Sequence, residues 1–430
     1  MITHIRVKNF KSWQDSDIVK LAPLTGFFGT NSSGKSSLLQ MLLLLKQTIG
    51  SDEVIFFGDE NSLVNLGNFR EVIHSHQSIN ELYLGVSCEL THSAPDLSKI
   101  PLQLLRFAFD TVIREEKSTL IIEHIRYISL SNGATTLWKN NQLSTDNRDL
   151  GTINIQNCYG LPPQPFINFT GPTDILPQFS FAFEEIFSHV YYIGPTRVHP
   201  QRFYHWKMTH PKEIDMWGNE AVDALLSARV RQLTTVHNGE SISIEERISK
   251  WLQKLDIAHS FSLGPIGNLS DNNYEVRIQK SPNSAKVTLA DMGHGVADLF
   301  PFLVHCCYVP KGSTLILEQP GVHLHPKAQA DLADLLIEVI TERNLQILIE
   351  SHSEHLLNRL QRRVAEEKIA ADQTALYFSR YINGASKIDK LDMDEFGNIT
   401  NWPENFFGDE MGDLFAMTEA QRKRQKRAEG

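Results

Sequence analysis

The chain has 430 residues, of which 41% are hydrophobic and 21% are charged. These are ordinary values for a globular protein, and they exclude a largely disordered chain. Lys and Arg number 41 and Asp and Glu number 51, which gives a net charge of −10 at pH 7. A negatively charged molecule is not a general electrostatic binder of nucleic acid, so nucleic-acid binding would need a local basic patch.

The first part of the chain predicts two strands, a glycine-containing loop, a helix and a β meander. Residues 2–10 alternate apolar and polar side chains, and residues 24–28 form a second apolar run that stops at Gly29. Residues 35–49 are apolar on most faces and lack proline, which predicts a buried helix. Residues 79–160 contain strand-like runs separated by turn residues, so we expect an antiparallel β meander there.

The remaining chain is first helical and then alternates strands with helices. Residues 161–177 contain five prolines and predict an irregular connection. Helical periodicity is found at residues 178–189 and 218–256, where no stretch is long enough for an extended coiled coil. From residue 276 onward, short apolar strands alternate with helices, which indicates a parallel sheet covered on both faces. The expected fold class is therefore α/β.

Neither the cysteines nor the apolar stretches indicate export or a membrane. The chain has four cysteines without a CxxC pair, so we expect no zinc site and no disulfide framework, and a reducing cytoplasm fits best. The longest apolar stretch, Leu38 to Leu45, contains Gln40 and is far shorter than the ~20 residues of a membrane span. We expect a cytoplasmic protein that does not bind a membrane.

The strongest motif is a phosphate-binding loop between the predicted strand and the predicted helix. The sequence GTNSSGKS at residues 29–36 fits the pattern GxxxxGK[ST]. In such a loop backbone N–H groups turn toward the phosphates, Lys35 neutralises the β and γ phosphates, and Ser36 reaches Mg²⁺. The alternative is a chance loop that caps a helix. The residues expected to bind ATP here are Gly29, Asn31, Ser32, Ser33, Gly34, Lys35, Ser36 and Ser37.

Two further polar residues follow apolar strands in the last third of the chain. Glu318 ends the strand-like run 314–317, and Mg²⁺ at the phosphate loop is the obvious partner for a charge so placed. His352 follows the apolar run 345–349 and would lie at the carboxyl edge of the sheet, near a γ-phosphate or its attacking water. Alternatively, Glu318 is a strand-end cap and His352 lies at the start of a helix.

The order of these motifs carries a resemblance to a known family. After the phosphate loop come LADMGHGV at residues 289–296, LILEQPGVHLHP at 315–326 and ESHS at 350–353. In this order they resemble the head domain of ABC-type ATPases in the SMC, RecF and OLD branch. The chain also resembles a bacterial family of stand-alone ATPases with a C-terminal domain of unknown function, through segments at 67–69, 191–204 and 401–411.

The resemblance implies a fold and a division into domains. The fold would be a P-loop NTPase of the ABC-ATPase head type, with a mixed and parallel sheet. A head at residues 1–376 would contain an inserted antiparallel β meander at about 79–160 and a mainly helical lobe at about 178–256. Residues 377–430 would form a small C-terminal domain with a basic tail.

The resemblance also implies roles for individual residues. Ser36 and Glu318 would hold Mg²⁺, and His352 would be the switch histidine. Gly293 and Gly295 would belong to a divergent signature loop that grips the γ-phosphate of a nucleotide held by a second subunit. A homodimer or higher oligomer is therefore expected, with ATP and Mg²⁺ as its cofactors.

One position departs from the pattern of the resembled family. The residue after the acidic one is usually a glutamate that activates water, whereas this chain has Gln319. A glutamine amide cannot take the proton, but it can orient a water molecule. We therefore expect an ATPase that hydrolyses slowly, with Glu318, Gln319 and His352 as its catalytic residues.

Three functions fit these observations. The first, implied by the resemblance, is a nucleotide-gated switch for a separate effector, a nuclease or toxin, in bacterial anti-phage defence. The second is a DNA repair or recombination ATPase that acts on DNA directly, and the third is an ATP-binding scaffold that does not hydrolyse. The negative net charge favours the first. The basic tail after residue 420 leaves nucleic acid possible, although a solvated helix end explains it as well.

Overall fold

Strands outnumber helices in the described part of the first 160 residues. The computed structural model describes residues 1–76, 81–90, 104–146, 148–160, 175–267, 272–403, 406 and 410–428. The elements of its first part are β1 (Ile2–Phe10), β2 (Trp13–Asp15), β3 (Val19–Lys20), β4 (Leu24–Gly29), α1 (Lys35–Thr48), α2 (Phe69–Val72), β5 (Glu81–Glu89), β6 (Arg106–Glu116), β7 (Thr119–Ser129), β8 (Thr135–Lys139), β9 (Gln142–Thr145) and β10 (Arg148–Thr152).

Nine of these strands form one antiparallel sheet. The order is β10–β9–β8–β7–β6–β5–β1–β2, and β3 also pairs with β1. Strands β5 to β10 are neighbours in chain order, which is the meander that residues 79–160 predict. However, β5 pairs with β1, for example through Val86 and Ile5. The meander is therefore continuous with the N-terminal strand and is not an isolated insert.

Helices with short strands between them make up the middle of the chain, and βα units follow. These elements are α3 (Ile175–Ser188), β11 (Val190–Ile193), β12 (Tyr204–His205), α4 (Ala221–Val230), β13 (Thr234–His237), β14 (Glu240–Ser243), α5 (Ile244–Lys254), β15 (Ser260–Pro265), β16 (Asn273–Gln279), β17 (Lys286–Thr288), α6 (His294–Tyr308), β18 (Thr314–Glu318), α7 (Pro326–Arg343), β19 (Gln346–Glu350), α8 (Glu354–Ala365), β20 (Thr374–Ile382), β21 (Ala385–Leu391) and α9 (Glu410–Ala428). Helix α3 begins slightly earlier than predicted, with Pro177 in its first turn, where proline is tolerated.

A second, central sheet carries the phosphate loop at the end of β4. Its strand order is β11–β18–β19–β4–β20–β21. Neighbouring strands from β11 to β20 are parallel, and β21 runs antiparallel to β20. Every residue of β18 and β19 is buried. Buried parallel strands between covering layers are typical of α/β proteins, so the predicted P-loop fold with a mixed sheet is confirmed.

Alternate side chains of the central sheet enter two different hydrophobic cores. Leu315 and Leu317 pack with residues of α4 to α8. Ile316 and Leu348 pack with residues of α1, α3 and the antiparallel sheet. This alternation follows from the two-residue period of a strand. The central strands therefore lie between two packed hydrophobic cores. This packing fixes the positions of the residues that follow the carboxyl ends of the strands.

Two strands of the central sheet lie across the expected divisions of the chain. The expected boundary between residues 376 and 377 falls inside β20, which pairs with β4 in the central sheet. Strand β11 interrupts the expected helical lobe at 178–256 and pairs with β18 in the same sheet. Both observations have one cause, because hydrogen bonding joins strands that are distant in sequence and local composition does not show this pairing.

The cysteines and the helices bear on two further expectations. The four cysteines are free and buried. Burial raises the pKa of Cys88, Cys158 and Cys307 to about 12, so these thiols are protonated and unreactive at neutral pH.

Within the described parts of the chain, no helix has both the length and the apolar composition that a bilayer crossing needs.

Candidate nucleotide-binding site

The phosphate loop joins β4 to α1 at the carboxyl edge of the central sheet. Gly29, Ser32 and Gly34 have φ values of 134°, 58° and 88°. The two glycines are also needed for space. A Cβ atom on Gly29 would collide with the backbone of Ser379, and one on Gly34 would lie 2.5 Å from Ser386 Oγ. The loop is therefore packed closely against β20 and β21.

Side chains outside the loop hold two of its carbonyl groups. Trp13 Nε1 donates to the carbonyl oxygen of Gly34 at 3.0 Å, and Ser379 Oγ donates to that of Ser33 at 2.5 Å. Gly34 is the N-cap residue of α1 and provides no side-chain cap. The first N–H groups of α1, which have no partners within the helix, are therefore available to an anion such as phosphate.

Lys35 is folded over the phosphate loop. Its Nζ donates to the carbonyl oxygens of Gly29 at 3.2 Å and Thr30 at 2.7 Å. The same Nζ lies 3.9 Å from a carboxylate oxygen of Glu350, and the Lys35 side chain is 3% exposed. Burial lowers the pKa of Lys35, and the charge of Glu350 opposes this shift. A phosphate group that enters the loop would meet this ammonium directly.

Glu350 is a site residue that the sequence analysis missed. Ser36 Oγ donates a hydrogen bond of 2.7 Å to Glu350 Oε2. Glu350 ends β19 and lies directly beside Glu318, its partner in the register of β18 and β19. The sequence held the same signal that identified Glu318, since Glu350 is also a carboxylate at the end of an apolar run.

Glu318 and Glu350 place two carboxyl groups in one buried site. Tyr192 donates a hydrogen bond of 2.9 Å to Glu318 Oε1. Burial, and then the neighbouring charge of Glu350, raises the pKa of Glu318 to about 7. Burial also raises the pKa of Glu350, although the hydrogen bond from Ser36 and the charge of Lys35 oppose this shift. Two adjacent buried carboxylates favour a bound cation.

The donor set of the site fits a magnesium ion. Mg²⁺ prefers oxygen ligands and keeps several waters, so a hydroxyl, two carboxylates and substrate phosphates suffice. The structure joins Ser36 to Glu350 by a hydrogen bond and Glu350 to Glu318 by strand register. Over the described residues, no three His, Cys, Asp or Glu side chains form a metal-binding group. The Ser36 hydroxyl adds a third oxygen donor to the two carboxylates.

Gln319 has an uncommon backbone conformation. Its φ is 48°, in the left-handed region, which costs a residue other than glycine about 1 kcal/mol or more. The N–H of Gln319 donates to the carbonyl oxygen of Glu350 at 2.9 Å. Arg197 donates to the carbonyl oxygen of Glu318 at 3.0 Å. The peptide that follows β18 is therefore held from both sides.

His352 follows β19 and lies beside the phosphate loop. The backbone of Gly29 lies near enough to the imidazole to raise its pKa. Burial, and then the charge of Lys35, lowers the pKa of His352, whereas the contact with Gly29 opposes this shift. The imidazole is therefore neutral at pH 7 and can donate or accept a hydrogen bond at the edge where the phosphates would lie.

Gly293 and Gly295 line a separate cavity. Gly293 is the N-cap residue of α6, and a Cβ atom on Gly295 would lie 2.5 Å from the carbonyl oxygen of His323. The cavity has a volume of about 360 Å³, and its lining also includes Met292 and Lys327. No residue of the phosphate loop is among the described residues that line it. Within one chain, the structure therefore does not bring these glycines to Lys35.

Three family models match separate parts of the chain. A model described as "AAA ATPase domain" matches residues 1–158, which include the phosphate loop. A model described as "AAA domain, putative AbiEii toxin, Type IV TA system" matches residues 225–358, which include Glu318 and His352. Both models are described as AAA domains, and together they include the phosphate loop, Glu318 and His352. A third model, "Protein of unknown function (DUF3696)", matches residues 369–417.

Similar solved structures are SMC head domains. An "SmcHead bound to the C-winged helix domain of ScpA" is 12% identical with a TM-score of 0.48, over 92% of this chain and 98% of that chain. The "SMC head domain from Thermotoga maritima" is 14% identical with a TM-score of 0.40, over 91% and 99%. A Smc head with an extended coiled coil, bound to the C-terminal domain of ScpA from Pyrococcus furiosus, is 12% identical with a TM-score of 0.45, over 91% and 96%.

These structural likenesses are distant. The fold is defined by its strand order and by the phosphate loop at the end of β4. The two matching AAA models cover the segments that carry the phosphate loop, Glu318 and His352. No curated protein matches the chain.

Proposed function

We propose that the protein binds ATP with Mg²⁺, hydrolyses it slowly, and uses its nucleotide state to switch a partner effector. One observation carries the proposal. Ser36, the metal-side residue of the phosphate loop, contacts Glu350 next to Glu318. A hydroxyl and two buried carboxylates, with Lys35 over a helix N-terminus, are the groups that phosphoryl transfer needs around its metal ion.

The phosphates are held by the phosphate loop and the start of α1. Lys35 leaves its carbonyl partners for the β and γ phosphates, and residues 31–34 contribute backbone N–H groups. Ser36, Glu318 and Glu350 would hold Mg²⁺ directly or through water. When bound, Mg²⁺ neutralises the charge that develops on the phosphates.

Gln319 and His352 act at the terminal phosphate. The amide of Gln319 orients the attacking water but takes no proton from it. The neutral imidazole of His352 hydrogen-bonds the γ-phosphate or the same water. Because no carboxylate follows Glu318, general-base catalysis is weak and the ATP-bound state lasts long. A long-lived state is what a nucleotide-gated switch requires.

The ATP-bound form is inferred to be a homodimer or higher oligomer. The cavity beside Gly293 and Gly295 supports this inference, because it is separate from the phosphate loop of its own chain. A second copy would bring its nucleotide to this cavity, where the N-terminus of α6 favours negative charge. Two copies in a head-to-tail arrangement give two equivalent composite sites.

The proposed effector is a separate nuclease or toxin in bacterial anti-phage defence. The net charge of −10 supports a protein partner over direct binding to DNA. Reduced, buried cysteines fit a cytoplasmic location.

Two further candidate functions each have an observation in their favour. The exposed Arg422 and Arg424 on α9 favour a repair ATPase that binds DNA. The side chains of Lys423, Lys426 and Arg427, the other basic residues of this tail, lie outside the described residues. Gln319 favours an ATP-binding scaffold that does not hydrolyse, because the amide is not a general base.

Magnesium-dependent ATP hydrolysis tests the proposed function. We expect slow turnover by the wild-type protein and a loss of about 100-fold or more in Glu318→Gln, because one carboxylate of the metal site is gone. Glu240→Gln, at an exposed position of β14, is the matched control and should keep the wild-type rate. Undiminished turnover by Glu318→Gln would reject the metal site.

A further inference from the structure

Arg197 is a partly buried arginine at the edge of the nucleotide site. It lies in the loop after β11, which ends at Ile193. Its Nη2 donates to the carbonyl oxygen of Glu318 at 3.0 Å, and its Nη1 donates to that of Pro195 at 3.3 Å. Its Nε is buried and has no hydrogen-bond partner among the described residues. Burial lowers the pKa of Arg197, and the charge of Asp298 is the strongest influence that opposes this shift.

The surroundings of the Arg197 guanidinium are energetically unfavourable for a charged group. Over the described residues it makes no ion pair, although a buried charge is costly unless it is paired and hydrogen-bonded. Both of its hydrogen bonds go to backbone carbonyl groups. One of these carbonyls belongs to the peptide between Glu318 and Gln319, which follows the metal-side strand β18. The arginine is therefore connected directly to the peptide that precedes Gln319.

Gln319 needs support from outside its own strand. Its left-handed backbone, with φ of 48°, is strained for a residue with a side chain. The N–H of Gln319 is held by the carbonyl of Glu350 at the end of β19. Arg197 holds the other side of the same peptide from the end of β11. Such a strained conformation persists only where its surroundings over-determine it, and these two hydrogen bonds do so.

We propose that Arg197 is a positioning residue that keeps Gln319 in the left-handed conformation from which its amide orients the attacking water. The direction of the Gln319 side chain follows from this backbone conformation, so loss of the arginine releases the amide without touching the phosphate loop. The inference rests on the role proposed above for Gln319 in hydrolysis. Arg197, in the loop after β11, would thereby support the residues that follow β18 and β19.

A double-mutant cycle in the full-length protein tests the inference. Single-turnover ATP hydrolysis and ATP affinity are measured for wild type, Arg197→Ala, Gln319→Ala and the double variant. We expect Arg197→Ala to slow hydrolysis about as much as Gln319→Ala, by about tenfold or more, with ATP affinity unchanged within about twofold. The double variant should be no slower than Gln319→Ala alone.

Two further variants sharpen the cycle. Arg197→Lys keeps a charged donor, so it should hydrolyse ATP faster than Arg197→Ala but more slowly than wild type. Arg277→Ala removes an arginine on the surface strand β16 and should leave both rate and affinity unchanged. If Arg197→Ala fails to fold, the same cycle is run with Arg197→Lys, and the loss caused by lysine should disappear in the Gln319→Ala background.

The possible outcomes separate the inference from the proposed function. Additive losses, or a large loss of ATP affinity in Arg197→Ala, overturn the inference, because the arginine then acts independently of Gln319. A Gln319→Ala variant that hydrolyses ATP at the wild-type rate overturns the role proposed for Gln319 and the inference with it. That second failure is seen without any Arg197 variant.

Discussion

Ser36 donates a hydrogen bond of 2.7 Å to Glu350, although 314 residues separate them in sequence. Glu350 also lies 3.9 Å from Lys35, so one carboxylate contacts both residues that would handle phosphate and metal. Without a metal ion, the negative charge of Glu350 competes with phosphate for Lys35 and repels it. Binding of ATP is therefore expected to depend strongly on Mg²⁺.

Glu350→Gln should weaken this dependence on Mg²⁺. The amide removes one negative charge beside the phosphates and one metal ligand. We expect ATP affinity without Mg²⁺ to increase by about tenfold, equivalent to ~1.4 kcal/mol, and the gain on addition of Mg²⁺ to shrink. Calorimetric titrations of ATP in EDTA and in Mg²⁺ measure both quantities, with Glu240→Gln as the exposed control. Identical Mg²⁺ dependence in Glu350→Gln and wild type would remove Glu350 from the site.

Gln319→Glu should accelerate hydrolysis. A carboxylate at this position can accept the proton of the attacking water, and general-base catalysis contributes roughly 10²–10⁴-fold when the geometry is right. Single-turnover hydrolysis at matched saturation with ATP measures the rate, and nucleotide affinity should stay unchanged. An unchanged or lower rate in the glutamate variant would show that the surroundings cannot use a carboxylate and would reject the slow-switch account.

Gly293→Val should prevent ATP-dependent dimerisation. Space around Gly293 is open, so the added side chain projects without a local clash in the chain itself. It would occupy the cavity where a second copy's phosphates are proposed to bind. Sedimentation velocity with saturating ATP and Mg²⁺ should show a dimer for wild type and a monomer for the variant, with ATP affinity retained. Gly264→Val, also at an open position, is the control. A wild-type monomer that still turns over ATP would contradict the composite site.

His305 gives the protein a pH-dependent stability. Burial lowers the pKa of His305 to about 4, and the charge of Lys46 adds to this shift. Between pH 6.5 and 4 the unfolded chain binds a proton at this histidine and the folded chain does not, so stability falls as the pH decreases. At pH 5 the loss is about 2 kcal/mol.

Urea unfolding of wild type and His305→Gln at pH 7 and pH 5 measures this contribution. The difference in unfolding free energy between the two pH values should be smaller in His305→Gln by about the predicted loss. His259→Gln, at an exposed histidine, should behave as wild type. The same pH dependence in His305→Gln and wild type would contradict the assignment.

The parts of the site that are local in sequence could be predicted from it. The phosphate loop is a short pattern, and its glycines are needed because β20 and β21 approach its backbone. Glu318 and His352 were identified because each follows an apolar run that proved to be a buried strand. These predictions needed only the knowledge that parallel strands end at one edge of a sheet.

The contacts that join distant segments could not be predicted from one sequence. Arg197 lies 121 residues from Glu318, and their hydrogen bond depends on β11 pairing with β18. The junction of the meander with β1 and the place of β20 in the central sheet have the same origin. Strand order is set by hydrogen bonding between distant segments, and no local sequence pattern in this chain specifies which strands pair.

The central claim is that the phosphate loop is a nucleotide site. Its most direct test is a titration of ATP with Mg²⁺ into the wild-type protein and into Lys35→Ala. The account predicts saturable binding by wild type and about 100-fold weaker binding or none by Lys35→Ala, because charged hydrogen bonds to the phosphates are lost. Lys286→Ala, at an exposed position of β17, should bind as wild type. Thermal unfolding without nucleotide shows that all three proteins are folded. Tight ATP binding by folded Lys35→Ala would contradict the account.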